Sequence, residues 1–139
     1  MSVFTKGLYD HILSYGGAPL AARVGAYQGG PCLFSGDVPA DAPRPYVLIL
    51  APYTDDPFDT KRSDGRYIER DIWTVFDATA SLARVEEVSE MLRGLLHRQN
   101  ILIEGYATVL SLVRGNGEIP NDGTVRGLSL TSLLTLAAS

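Results

Sequence analysis

Apolar side chains at Phe4, Leu8, Ile12 and Tyr15 recur at intervals of four, four and three, which lays one stripe along a helix. Ser2 is suited to cap its start and the pair Gly16-Gly17 to stop it, with Lys6, Asp10 and Ser14 on the opposite side. A short second helix is expected from Pro19 to Val24, with proline in its first turn. Turn formers crowd the stretch from Gly29 to Pro45, around a short apolar run Cys32-Leu33-Phe34. Tyr46 to Ala51 is apolar on both faces and reads as a central strand. A second strand is expected from Tyr67 to Phe76. Ile68, Arg70, Ile72, Thr74 and Phe76 share one of its faces, and Tyr67, Glu69, Asp71, Trp73 and Val75 the other. Between these two strands the segment from Tyr53 to Arg66, with its four aspartates, reads as a long acidic loop closing a hairpin.

The strongest helical pattern runs from Ser81 to Arg98. Leu82, Val85, Val88, Leu92, Leu95 and Leu96 form its apolar stripe, and Arg84, Glu86, Glu87, Glu90 and Arg93 its wet face. Thr79 or Ser81 caps it, Arg93 and His97-Arg98 suit its electronegative end, and Asn100 is placed to end it in the left-handed conformation. A strand from about Leu102 to Val113 and a turn-rich loop from Gly115 to Gly123 follow. The last strand, Val125 to Ala137, puts Leu128, Leu130, Leu134 and Leu136 on one face and Ser129, Thr131 and Thr135 on the other. No charge occurs from Gly127 to Ser139, so this strand is expected to be central, covered, or paired with another chain. The pattern predicts an α+β fold: a single domain over residues 1–139, with a mostly antiparallel four- to five-stranded sheet and two main amphipathic helices packed on one face.

Composition narrows the function classes. A chain of 139 residues suffices for one self-supporting core. With 12 Lys+Arg against 16 Asp+Glu the net charge is −4, a poor match to phosphate backbones. The single Cys32 forbids an internal disulfide and fits a reducing compartment. No apolar run reaches membrane-spanning length, and residues 1–13 lack the basic-then-apolar pattern of a signal peptide, so none is expected.

No catalytic motif emerges. His11 reads as a solvated helix-face residue, His97 as a partner of the helix dipole, and Cys32 as a structural thiol with no base beside it. Asp55-Asp56-Pro57-Phe58-Asp59 fails the spacing of a calcium loop, and Gly115-Asn116-Gly117 fails that of a dinucleotide fingerprint. Tyr27, Tyr46, Tyr53, Tyr67 and Trp73 lack the interleaved basic residues of a base-stacking groove. The expectation is a protein that is not an enzyme, with no catalytic residues, no cofactor and no metal.

Several motifs keep a recognisable order: Arg44-Pro45-Tyr46-Val47-Leu48-Ile49, then Asp59-Thr60-Lys61-Arg62-Ser63-Asp64-Gly65, then Ile72-Trp73-Thr74-Val75-Phe76. Leu95-Leu96-His97, Val113-Arg114 and a closing strand after Asp122-Gly123 follow. In this order the chain resembles the tail terminator, or tail completion, family of long-tailed bacteriophages and of phage-derived particles such as gene transfer agents. The resemblance implies a structural virion subunit that forms a ring, commonly a homohexamer, at the head-proximal end of the tail tube. Such a ring ends tube polymerisation and offers a head-joining surface. Its implied partners are other copies of itself, the tail tube protein and the head–tail connector or stopper protein. DNA would pass through the lumen without specific binding, no membrane would be engaged, and assembly would take place in the host cytoplasm. The family has no catalytic residues to carry over. Asp59, Lys61, Arg62, Asp64, Arg66, Arg70, Glu118 and Asp122 are candidates for subunit, tube or neck contacts, with Arg62, Arg66 and Arg70 available to a neighbour's carboxylates. The acidic loop is expected to be mobile in the isolated subunit and engaged at the junction. The alternatives are a head–tail connector or stopper subunit of the neck, or a small α+β ligand-binding module.

Overall fold

Helix α1 (Val3–Ala21) starts where Ser2 Oγ accepts the Thr5 N–H at 3.2 Å. Gly17, at φ 49° and ψ −144°, breaks it, and Pro19 opens its short last segment. Phe4, Leu8, Ile12 and Leu20 are buried; Tyr15, expected in the stripe, is exposed. Helix α2 (Leu82–Leu96) is capped by Ser81 Oγ on the Arg84 N–H and buries Val85, Val88, Leu92 and Leu96. Leu82 does not join them: in the first turn, it lies beyond the edge of the stripe and is 42% exposed. Ser89 takes a buried place on that face instead. The helix stops at His97, and the left-handed residue is Arg98 (φ 56°), not Asn100, because the Arg98 N–H bonds Ser111 O at 2.7 Å.

The computed structural model describes residues 1–59 and 64–139. Strands β1 (Ala26–Tyr27) and β2 (Gly30–Pro31) make a separate small hairpin. The main sheet contains β3 (Leu33–Ser35), β4 (Tyr46–Ile49), β5 (Thr54–Asp59), β6 (Asp64–Asp77), β7 (Tyr106–Glu118) and β8 (Val125–Ala138). Its order is β3-β4-β6-β8-β7, with β5 also on β6, so six strands replace the four or five expected. All neighbours are antiparallel except β3 and β4, which run parallel. The long edge of β6 away from β8 takes two strands in succession: β4 opposite Ile72–Val75 and β5 opposite Asp64–Glu69.

The expected acidic loop is therefore mostly strand. Thr54-Asp55-Asp56-Pro57-Phe58-Asp59 carries little intrinsic strand preference, but pairing it satisfies backbone groups that β6 would otherwise leave open. Pro57 is tolerated because β5 is an edge strand. Phe58 lies over Gly65, where a Cβ would fall 2.2 Å from its ring. The charge-free last strand is explained within one chain. β8 lies between β6 and β7 along its length and needs no neighbouring subunit to cover it.

Both helices pack on one side of this sheet. The alternation in β6 and β8 decides which residues meet them: Ile68, Ile72 and Phe76 from β6, and Leu130, Leu134 and Leu136 from β8. Two short linkages fasten the layers. The His11 ring Nε2 meets Leu95 O at 2.7 Å, joining α1 to the end of α2, so His11 is buried rather than solvated. His97 Nδ1 accepts the Val113 N–H at 3.0 Å. His97 therefore ties α2 to β7, a role the helix-dipole reading did not foresee.

Candidate assembly surface

The side of the sheet away from the helices carries the other half of each alternating pattern. Along β6 these are Tyr67, Glu69, Asp71 and Trp73; along β8 Ser129, Thr131, Leu133 and Thr135; along β7 Leu110, Leu112 and Arg114. The centre of this face is a polar network. Thr131 Oγ1 donates to Asp71 Oδ1 at 3.1 Å, and Asn116 Nδ2 reaches Asp71 Oδ2 at 3.4 Å. Tyr67 OH donates to Glu69 Oε1 at 2.6 Å, which holds the phenol proton and raises its pKa. Trp73 and Leu133 are half-buried among these groups and Tyr53 stands exposed at the margin. At the Asp77 end, buried Ile119 approaches Gly127 and closes that part of the face. An apolar-aromatic surface threaded with satisfied polar groups suits contact with another protein better than solvent alone.

The structure separates the six charged candidates among the described residues into three places. Asp59 ends β5 and exposed Asp64 begins β6 opposite it; Lys61 and Arg62 lie outside the described residues. Exposed Glu118 and Asp122 sit where β7 leads into β8, at the other end of the sheet. Gly65 pairs with Ala137 and Asp77 with Val125, so the two ends are about 40 Å apart at 3.3 Å per residue. Asp122 is engaged locally: it accepts from the Thr124 hydroxyl at 2.6 Å and the Thr124 N–H at 2.9 Å, which lowers its pKa.

Arg66 and Arg70 occupy the third place, on the helix side of β6, and here the expectation is corrected. Arg70 is only 3% exposed and donates to Thr5 Oγ1 at 2.8 Å under the first turn of α1. Burial lowers its pKa, and nearby Asp55 partly offsets this. The alternation that placed Arg70 with Ile68 and Ile72 carried this information; its charge made it look like a surface residue. Arg66 makes a two-pronged contact with Asp55, at 2.8 and 3.2 Å, and lies 5.0 Å over the Phe4 ring. Arg66→Glu is therefore expected to lower the subunit's own stability by about 1–2 kcal/mol, through loss of the ion pair and the ring contact. Urea unfolding of the purified subunit checks this, and an unchanged midpoint would refute the intramolecular role. One fastening cation escaped the sequence reading: Arg44 bonds Asp77 at 3.1 Å and Thr124 O at 3.0 Å, joining the start of β4 to the β7–β8 loop.

Among the described residues, no three His, Cys, Asp or Glu side chains gather as metal ligands, and no helix is long and apolar enough to cross a membrane. Cys32 is buried, which raises its thiol pKa.

No family model matches the chain, and no curated protein matches it in sequence. Among solved structures, it is similar to a chain in one described as the virion of a native gene transfer agent particle. The TM-score is 0.76 at 17% identity, over 94% of this chain and 92% of that one. At this identity the likeness is one of fold.

Proposed function

We propose that this chain is a structural subunit of a phage-like virion and not an enzyme. Its role is to form a ring, a homohexamer, at the head-proximal end of the tail tube, where it ends polymerisation and presents the head-joining surface. The observation that carries the reading is the fold shared, over nearly the whole of both chains, with a component of a gene transfer agent virion. The order of sequence motifs described above points to the same class independently.

The shape of the sheet supports this role. A subunit at a junction must meet different proteins at its two ends. Here Asp59 and Asp64 mark one end of the long strands, and Glu118 and Asp122 the other. One end would contact the tube protein and the other the connector or stopper. A chain of net charge −4 suits a lumen through which DNA passes without being held. The rim of the polar-aromatic face and the sheet edges remain for contacts between subunits.

The test is deletion of the gene in a particle-producing host, with electron microscopy of the products. Overlong or unattached tails are the expected result. Normal tails beside filled heads that leak would move the protein to the connector or stopper position. Unaltered particles would refute a virion role altogether.

A further inference from the structure

Exposed large hydrophobic side chains collect along one flank of the sheet. Val109 is 63% exposed and Leu110 42%, next to each other on β7, while Leu102, in the segment leading into it, is 74% exposed beside α1. A groove of about 280 Å³ runs between β7 and residues 98–100, lined by Arg98, Val109 and Leu110 among others. Arg98 is exposed and makes no ion pair among the described residues. Glu104 and Glu118 lie towards the two ends of this flank, so Arg98 sets the charge of its middle. The β7 backbone is partly occupied there: Ser111 O accepts the Arg98 N–H and the Val113 N–H goes to His97. A partner on this flank is therefore gripped by side chains rather than by adding a strand.

The opposite flank has the complementary character. β5 is an edge strand bearing Asp55 and Asp56, with exposed Tyr53 just before it. Asp55 is engaged by Arg66, whereas Asp56 makes no ion pair among the described residues. The strands β6 and β8 lie between β5 and β7, so the two flanks face away from each other. Closing a ring requires two different, complementary patches that point in opposite directions on each subunit. The shorter flank, β5 with six residues, is about 20 Å long and sets the length over which the two flanks can meet.

We infer that copies of this chain associate head to tail, with the β5 flank of one (Tyr53, Asp56) seated on the β7 flank of the next (Arg98, Val109, Leu110). The tyrosine supplies an anchor for the apolar patch, and Asp56 meets Arg98 at its rim. This inference rests on the ring reading above and specifies its subunit contact.

Charge exchange tests it, with Arg98→Glu, Asp56→Arg and the double variant each supplied to the deletion strain. Each single reversal places like charges at every contact around the ring. It is expected to cut the yield of complete particles at least about tenfold. The double variant restores opposite charges at every contact and is expected to recover yield to within about threefold of wild type. Thermal midpoints of the purified variants should stay within about 2 °C of wild type, since isolated surface charges contribute little to folding. Single variants that complement fully, or a folded double variant with no recovery, would overturn the flank pairing while leaving the ring reading standing. A deletion strain that makes normal particles would instead remove the ring reading and this contact with it.

Discussion

Alanine at position 127 is expected to destabilise the subunit by at least about 3 kcal/mol, the upper end of what over-packing costs. Gly127 lies on β8 opposite Val75 of β6, inside the sheet. A Cβ there would fall 2.0 Å from Thr74 O and 2.9 Å from Ile119 Cδ1. Ile119 has some freedom to move aside, but the Thr74 carbonyl belongs to the backbone of the central strand. Relief requires displacing β6 while Arg126 and Leu128 on either side remain paired with Phe76 and Thr74. Thr74 Oγ1 is already buried without a hydrogen-bond partner, so this position has little slack. Gly115→Ala is the control: nothing lies within 4 Å of a Cβ there, and its stability should match or exceed that of wild type. Equilibrium urea unfolding followed by circular dichroism measures both. A Gly127→Ala protein within about 0.5 kcal/mol of wild type would show that β6 and β8 do not approach as described.

The second large effect is expected from Leu92→Ala, at about 2–5 kcal/mol. Leu92 is fully buried in the middle of α2, in one core with Ile72 and Phe76 of β6 and with Leu8 and Ile12 of α1. Truncation leaves a void bounded by two helices and a sheet, none of which can collapse without losing contacts elsewhere. Leu82→Ala, on the same helix but 42% exposed, should cost less than about 1 kcal/mol. Comparable losses at the two positions, measured by the same unfolding experiment, would mean that α2 presents a different face to the sheet.

Shortening the segment from Asp55 to Asp64 is expected to impair folding. It removes strand β5, the Asp55–Arg66 contact and the cover that Phe58 gives Gly65. A deletion there would damage the subunit itself, so single substitutions on its exposed edge, such as Asp56→Arg, are the appropriate probes of assembly.

Local chemistry was sufficient for much of this fold. Ser2 and Ser81 cap the two helices as their positions suggest, because a cap needs only an oxygen within reach of the next turn. The break at Gly17 and the alternation of β6 and β8 were equally legible, since each depends on backbone periodicity within one element. Three things required the assembled tertiary structure. Arg70 has the sequence character of a surface cation, yet the packing of α1 over β6 buries it. His11 reads as solvated and His97 as a partner of the helix dipole until α2 and β7 bring backbone partners from 84 and 16 residues away. The acidic stretch 54–59 has too little strand preference to be recognised alone and becomes a strand only because β6 presents an open edge to it. The candidate assembly surface belongs to this second group. Alternation shows that β6 has two faces, but which one the helices cover, and which two strands are left as opposite flanks, follows from strand order, and strand order is set by contacts between residues far apart in the chain.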